Sequence, residues 1–204
     1  MSNGHLFVIA APSGAGKTTI VKAVTQKLSA IATSISHTTR PKREGEQDGI
    51  DYHFVDRNTF IAMRDADDFV EHAEVFTNFY GTSKSWLNQR ISSGDDVILE
   101  IDWQGAQQVR KIFPDSTGIF IIPPSKSILL DRLRGRGTDS EDVIAKRTAE
   151  AVIEMSHYNE FDYLVINKDL DVAIQEVCSI ITSFRLKTDR QYNKQPELLT
   201  ELLD

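Results

Sequence analysis

The sequence predicts an α/β fold in three layers, a central parallel sheet covered on both faces by helices, with a phosphate-binding loop (P-loop) after its first strand. Three observations carry this. Apolar runs of strand length, at residues 6–11, 97–101, 118–122 and 163–166, alternate with segments whose apolar residues recur at helical spacing. Such alternation implies right-handed crossovers between parallel strands, which place helices on both faces. The first run also leads straight into a glycine loop and a helix start. With 204 residues and 40% hydrophobic content the chain can bury one good core, so one folding unit is expected.

The opening stretch is Leu6-Phe7-Val8-Ile9-Ala10-Ala11-Pro12-Ser13-Gly14-Ala15-Gly16-Lys17-Thr18-Thr19. It reads as a phosphate cradle. Pro12 has no N–H, so the nest begins after it, at Ser13. Backbone N–H groups of Gly14, Ala15, Gly16, Lys17, Thr18 and Thr19 can then turn around polyphosphate oxygens. Lys17 reaches the outer phosphates, and the Thr18 hydroxyl can bind Mg²⁺. The pattern Gly-x-x-x-x-Gly-Lys-[Ser/Thr] has Ala11 in place of its first glycine. That position is therefore expected to keep φ below zero, with the unusual geometry at Gly14 and Gly16.

Beyond the loop, Ile20, Val21, Val24 and Leu28 give a helix ending near Ser29, and residues 32–36 read as a short strand. Residues 37–52 are polar and basic and read as loop. Asp56 starts a small helix carrying Phe60 and Met63, and 69–76 reads as a mixed strand. These pieces are too small for a core of their own, so residues 35–83 are expected to form an insert resting on the main sheet. Thr82 or Ser83 caps a helix using Trp86, Leu87 and Ile91. Residues 104–112 follow as helix, and Ser125 caps another carrying Ile128, Leu129 and Leu133. That helix breaks at Gly135-Arg136-Gly137, before a long helix from Asp139 to about Tyr158. Val172 to about Arg190 makes a helix with Val177, Ile180, Ile181 and Phe184 inward. Pro196 opens a last short helix whose leucines suggest packing on the body or self-association into a homo-oligomer.

Composition narrows the function classes. A net charge of −7 disfavours a sequence-independent nucleic-acid binder, so any basic site must be local. The lone Cys178 excludes an internal disulfide, and the five histidines show no H-x-x-x-H pairing. No Lys or Arg precedes the first apolar run, which makes a poor signal peptide, and no run approaches the roughly 20 apolar residues of a membrane span. No membrane partner is expected, and the default location is cytoplasmic.

Phosphoryl transfer needs donors around every charged oxygen, and the chain supplies two arginine groups for that work. Arg40 and Arg43 form the first; Arg132, Arg134, Arg136 and Arg147 form the second. Arg132 and Arg136 share a helix face if that helix persists, whereas Arg134 points elsewhere. The alternative is a solvated helix with surface ion pairs to Asp131, Glu141 or Asp142. Glu100 and Asp102 lie at the C-terminal end of a strand and face one way. They can hold Mg²⁺ through water or accept hydrogen bonds from a substrate. Asn167-Lys168-Asp169-Leu170-Asp171 fails the guanine-reading Asn-Lys-x-Asp pattern, because Leu170 stands at the acid position.

These stretches together resemble the guanylate kinase family, especially its bacterial members. The resemblance is carried by Ala-Pro-Ser-Gly-Ala-Gly-Lys-Thr at 11–18, Ser-His-Thr-Thr-Arg-Pro-Lys-Arg at 36–43, Gly-Ile-Asp-Tyr-His-Phe at 49–54 and Tyr-Gly-Thr-Ser at 80–83. Leu-Glu-Ile-Asp-Trp-Gln-Gly at 99–105, Leu-Arg-Gly-Arg-Gly at 133–137 and Val-Ile-Asn at 165–167 extend it over nearly the whole chain. The likeness implies a core of residues 1–34, 84–125 and 158–204, a GMP-binding insert at 35–83 and a lid at 126–157. It implies that Arg40, Arg43, Tyr52 and Tyr80 hold the GMP phosphate, while Ser36, Glu71, Thr82 and Asp102 read guanine. Arg132, Arg136 and Arg147 would clamp the phosphates of ATP, with Mg²⁺ as cofactor and Asn167 near adenine. The chain departs from the family at Glu100, where aspartate is common, and at Lys168, where an acid is common.

The implied reaction is transfer of the ATP γ-phosphoryl group to GMP, and to dGMP as well, yielding ADP and GDP in purine nucleotide metabolism. Guanine offers two donors that one carboxylate accepts together and an acceptor O6 that a hydroxyl satisfies. Adenine inverts this pattern and leaves buried groups unpaired, a mismatch worth about 10⁴-fold in such sites. Two rival readings share the architecture: a non-catalytic module that binds protein ligands, and a kinase for another phosphate-bearing acceptor. Gly16, Lys17, Thr18 and the three lid arginines weigh against the first.

Overall fold

The computed structural model describes residues 3–75, 77–135 and 141–203. Its elements run β1 (Leu6–Ala10), α1 (Lys17–Lys27), β2 (Ile31–Thr33), β3 (His37–Thr38), β4 (His53–Phe54), α2 (Arg57–Asp65), β5 (Phe69–Val75), β6 (Asn78–Ser83), α3 (Lys84–Ser92) and β7 (Asp96–Ile101). They continue with α4 (Trp103–Ile112), β8 (Thr117–Ile122), α5 (Lys126–Arg134), α6 (Glu141–Met155), β9 (Tyr163–Ile166), α7 (Leu170–Arg185), α8 (Thr188–Lys194) and α9 (Pro196–Leu203). A 3₁₀ turn, Tyr158–Glu160, precedes β9.

The main sheet has the order β2-β7-β1-β8-β9, and every pairing in it is parallel. Alternation along β1 divides the core. Phe7 and Ile9 face α1 and α7, joining Ile20, Val24, Ile98, Ile121, Val177 and Ile181. Leu6 and Val8 face the other way, joining Leu87 of α3, Leu99 of β7 and Val109 of α4. Each such side chain contributes about 1.5–3 kcal/mol on burial, and β1, buried throughout and paired on both sides, gives the loop that follows it a rigid base. A third cluster, Leu129, Leu133, Ile144 and Ala151, joins α5 to α6.

The second sheet, β4-β3-β6-β5, takes in His37–Thr38, inside the segment read as loop, and Asn78–Ser83, where the sequence offers only a cap at Thr82 or Ser83. Strands of two residues carry no readable period, and Asn78 and Gly81 look like turn residues until β6 pairs with β5 in antiparallel register from Glu71–Thr82 to Val75–Asn78. Phe60 of α2 stacks on Phe69 and Phe79, with ring centroids 4.4 and 5.3 Å apart, and closes one face of this sheet. A bidentate clamp ties it to the main body: Gln108 of α4 accepts from the His72 N–H at 3.1 Å and donates to the His72 carbonyl at 3.3 Å.

The expected caps form. Asp56, Ser83 and Ser125 accept from Thr59, Trp86 and Ile128. Three boundaries fall short of the reading: β2 ends at Thr33, not 36, α6 at Met155, not near Tyr158, and α7 at Arg185, not near Arg190. Arg185 pairs with Asp96 at 2.7 Å and donates to the Ser29 and Ala30 carbonyls, which pins the helix end to the lower edge of the sheet. At the C-terminus, Leu202 and Leu203 of α9 are 70% and 83% exposed. Among the described residues, no helix is long and apolar enough to cross a membrane.

Candidate functional site

The loop between β1 and α1 lies where the strand order turns outward to β7 on one side and β8 on the other, the crevice in which open α/β sheets bind ligands. Gly14 and Gly16 have φ of 88° and 97°, in the left-handed region, and Ala11 is not among the positive-φ residues, as its side chain requires. The loop is clasped from behind. Asn167, 2% exposed, donates through Nδ2 to the Ala15 carbonyl at 2.7 Å, and a Cβ on Gly16 would fall 2.5 Å from that nitrogen. Arg132 of α5 donates to the Asn167 carbonyl at 3.0 Å and to the Ala15 carbonyl at 3.4 Å. Ala15 is itself fully buried, whereas Thr18 and Thr19 are open at the first turn of α1.

Charge gathers at the mouth of the loop. Half-buried Lys17 donates from Nζ to the Ile101 carbonyl at 2.8 Å. Burial pushes its pKa below the ordinary lysine value, while the charges of Glu100, Asp102, Glu154 and Glu71 pull it back. The Thr18 hydroxyl donates to Glu100. Asp102 follows β7 directly and caps α4, accepting from the Gly105 N–H at 2.7 Å. The Ser13 N–H donates to Oε2 of Glu154 at 3.2 Å, a carboxylate carried by α6.

The second sheet contributes side chains. Thr82 of β6 donates to Oε1 of Glu71 on β5 at 2.7 Å, and Ser36 lies 3.3 Å from Thr82, hydroxyl to hydroxyl. Glu71 is 8% exposed, and burial pushes its carboxyl up to about 7 against the restraining bond from Thr82. Beside this trio, Arg40 meets Glu46 through two bonds of 2.7 and 3.0 Å, and the Arg43 N–H donates to the same carboxylate at 2.8 Å. Those bonds hold the Glu46 carboxyl well below the usual range. The Arg40 guanidinium lies 5.4 Å from the Tyr52 ring centroid, and the rings of Tyr52 and Tyr80 are 6.0 Å apart. The Arg43 side chain itself is exposed. Glu100 acts electrostatically on Tyr52, as Glu71 does on Lys17, so the two groups feel each other's charge.

Ser36, Arg40, Tyr52, Glu71, Tyr80 and Thr82 are thus brought together, as are Ser13, Lys17, Thr18, Glu100 and Asp102. Arg132 and Asn167 lie behind the loop. Arg147 is half-buried on α6, and Arg136 falls outside the described residues. Glu46 and Glu154 escape the sequence reading. Glu154 follows Arg147 by seven residues, two helical turns, and that spacing was the available signal because it puts both on one face of α6.

Comparison with known proteins covers the same regions. The family model described as guanylate kinase matches residues 3–184. The guanylate kinase of Hydrogenovibrio crunogenus is 55% identical over 98% of this chain and 97% of its own. That of Saccharophagus degradans is 53% identical over 98% of each chain. The crystal structure of guanylate kinase from Anaplasma phagocytophilum matches with a TM-score of 0.75 at 34% identity, over 93% of this chain and 90% of that one. A match spanning the loop, the second sheet and α6 alike leaves one conclusion: this chain belongs to the guanylate kinase family, the ATP:GMP phosphotransferases among nucleoside monophosphate kinases.

Proposed function

We propose that the chain transfers the γ-phosphoryl group of ATP to GMP, and to dGMP, with the donor on the 13–19 loop and the acceptor against the second sheet. The observation that carries this is the position of Lys17. Its ammonium donates to the Ile101 carbonyl at 2.8 Å, at the end of β7 beside the Thr18–Glu100 pair, and it feels the charge of Glu71 on the second sheet, which suits a group that stands between donor and acceptor. In this reading Glu71 accepts from the two guanine donors, and Ser36 and Thr82 serve O6 and orient the carboxylate. Arg40, Arg43, Tyr52 and Tyr80 hold the GMP phosphate, taking the place that Glu46 occupies against Arg40. Arg136 and Arg147 clamp the donor phosphates, joined by Arg132 once it turns from the Ala15 and Asn167 carbonyls that it holds behind the loop, and Asn167 lies toward adenine while it supports the loop from beneath.

The Thr18 hydroxyl against Glu100 is a pair of hard oxygen donors, the type Mg²⁺ takes, with Asp102 close by. Thr18 would hold the ion directly and Glu100 directly or through water. When bound, it screens charge on the donor phosphates. No general base is demanded, since the attacking phosphate of GMP is already largely ionised at neutral pH. The chain aligns that oxygen with the γ-phosphorus and stabilises the spreading charge through Lys17 and the arginines. Segments 35–83 and 126–157 close over the core of 1–34, 84–125 and 158–204, keeping water from the phosphoryl group.

ADP release measured with GMP, dGMP, AMP, UMP, CMP and phosphorylated sugars tests the assignment. GMP is expected to be the best acceptor. A different best acceptor would move the chain to another phosphotransfer, and no ADP with any acceptor would make it a binding module.

A further inference from the structure

The loop's N–H groups form an anion seat, and one of them is already taken. The Ser13 N–H is bonded to Oε2 of Glu154 at 3.2 Å, near the C-terminal end of α6. The Lys17 ammonium attracts the same carboxylate, so Glu154 collects both kinds of contact that a terminal phosphate would seek here. We propose that Glu154 is the built-in counter-anion of the donor seat: it occupies the Ser13 amide and faces Lys17 when no nucleotide is bound, and the terminal phosphate of the donor displaces it. The proposal rests on the reading of the 13–19 loop as the donor's seat.

A carboxylate and a phosphate drawn to one amide hydrogen repel each other, and a carboxylate left within a few ångströms of a triphosphate opposes it strongly. Glu154 must therefore withdraw, by a turn of its own side chain or by a shift of α6, the helix that also carries Arg147 two turns earlier on the same face. Its hold suits displacement. Burial pushes its carboxyl above the ordinary glutamate value, the Ser13 bond and Lys17 hold it down, and Asp102 at the end of β7 and Glu150 on α6 push it further up. Glu154 thus competes with the donor phosphate for the seat and sets donor affinity without touching the acceptor.

The test is calorimetric titration with ATP in the absence of GMP. Glu154→Gln keeps the side-chain shape and a carbonyl acceptor for Ser13 while removing the charge. It is expected to bind ATP about tenfold more tightly than the unaltered chain, with GMP affinity unchanged. Glu154→Ala should tighten ATP in the same direction, and thermal melting of both variants checks that they are folded. Equal or weaker ATP binding in the folded variants overturns the proposal, because a merely structural role predicts no gain. Lys17→Ala, run in parallel, separates the two levels. If it weakens ATP while the Glu154 variants do not tighten it, the counter-anion role alone falls. If it leaves ATP binding untouched, the donor seat lies elsewhere and both readings fall.

Discussion

The two halves of the cleft gather charge by different means. Around the loop the donors are mainly backbone: consecutive N–H groups from Ser13 onward, shaped by two positive-φ glycines and clasped by Asn167 and Arg132. Against the second sheet the polar groups are side chains, from Ser36 through Arg40, Tyr52 and Glu71 to Thr82. A seat of amides follows the shape of a phosphate and is indifferent to the base attached to it. A seat of side chains can discriminate bases, because a wrong partner leaves a buried carboxylate unsatisfied. Substitutions in the two halves should therefore separate turnover from base recognition.

The largest separation is expected at Lys17. Lys17→Ala should lower kcat by about 10³-fold, the scale on which a preorganised charge donor contributes, while calorimetric GMP affinity stays within about twofold. A parallel loss of GMP binding would erase the distinction between the halves. Glu71→Ala should do the reverse, weakening GMP by about 10²-fold as two guanine donors lose their acceptor, with ATP affinity unchanged. Equal losses for both nucleotides would break the comparison from the other side.

The raised carboxyl of Glu71 sharpens it further. Only the ionised form accepts both guanine donors, so affinity for guanosine, which lacks a titrating phosphate, should fall by about tenfold between pH 8 and pH 6. Glu71→Gln should abolish that slope. In the unliganded protein the sign is opposite. A carboxyl whose folded pKa lies above its unfolded value contributes stability that is present at low pH and lost as pH rises through about 7. Thermal melts from about pH 4.5 to 7 should thus show a falling contribution that Glu71→Gln removes. The smallest effect is expected behind the loop. Asn167→Ala should cost about 1–2 kcal/mol by freeing the Ala15 carbonyl, with a few-fold rise in KM for ATP and no change for GMP. Thermal denaturation and steady-state kinetics read both.

What could be read directly was whatever the chain states contiguously. The loop occupies neighbouring positions, the buried strands are unbroken apolar runs, and Asp56, Ser83 and Ser125 cap helices within three residues of themselves. The second sheet is harder. His37–Thr38 and His53–Phe54 are too short for a period, and β6 reads as a turn until its partner is known. Arg185 ends α7 through Asp96, 89 positions away, which no local pattern announces. Glu154 meets Ser13 across 141 positions.

The sequence by itself determined the layer order, the loop and its conformation at Ala11, Gly14 and Gly16, because strand burial, helical spacing and φ preference act over a few bonds. Tertiary structure alone decided that Thr82 reaches Glu71, that Asn167 supports Ala15, and that Glu154 meets the Ser13 N–H. Hydrogen bonds and charges act through space. Side chains far apart along the chain become one site only after the packed sheets have set the distances between them.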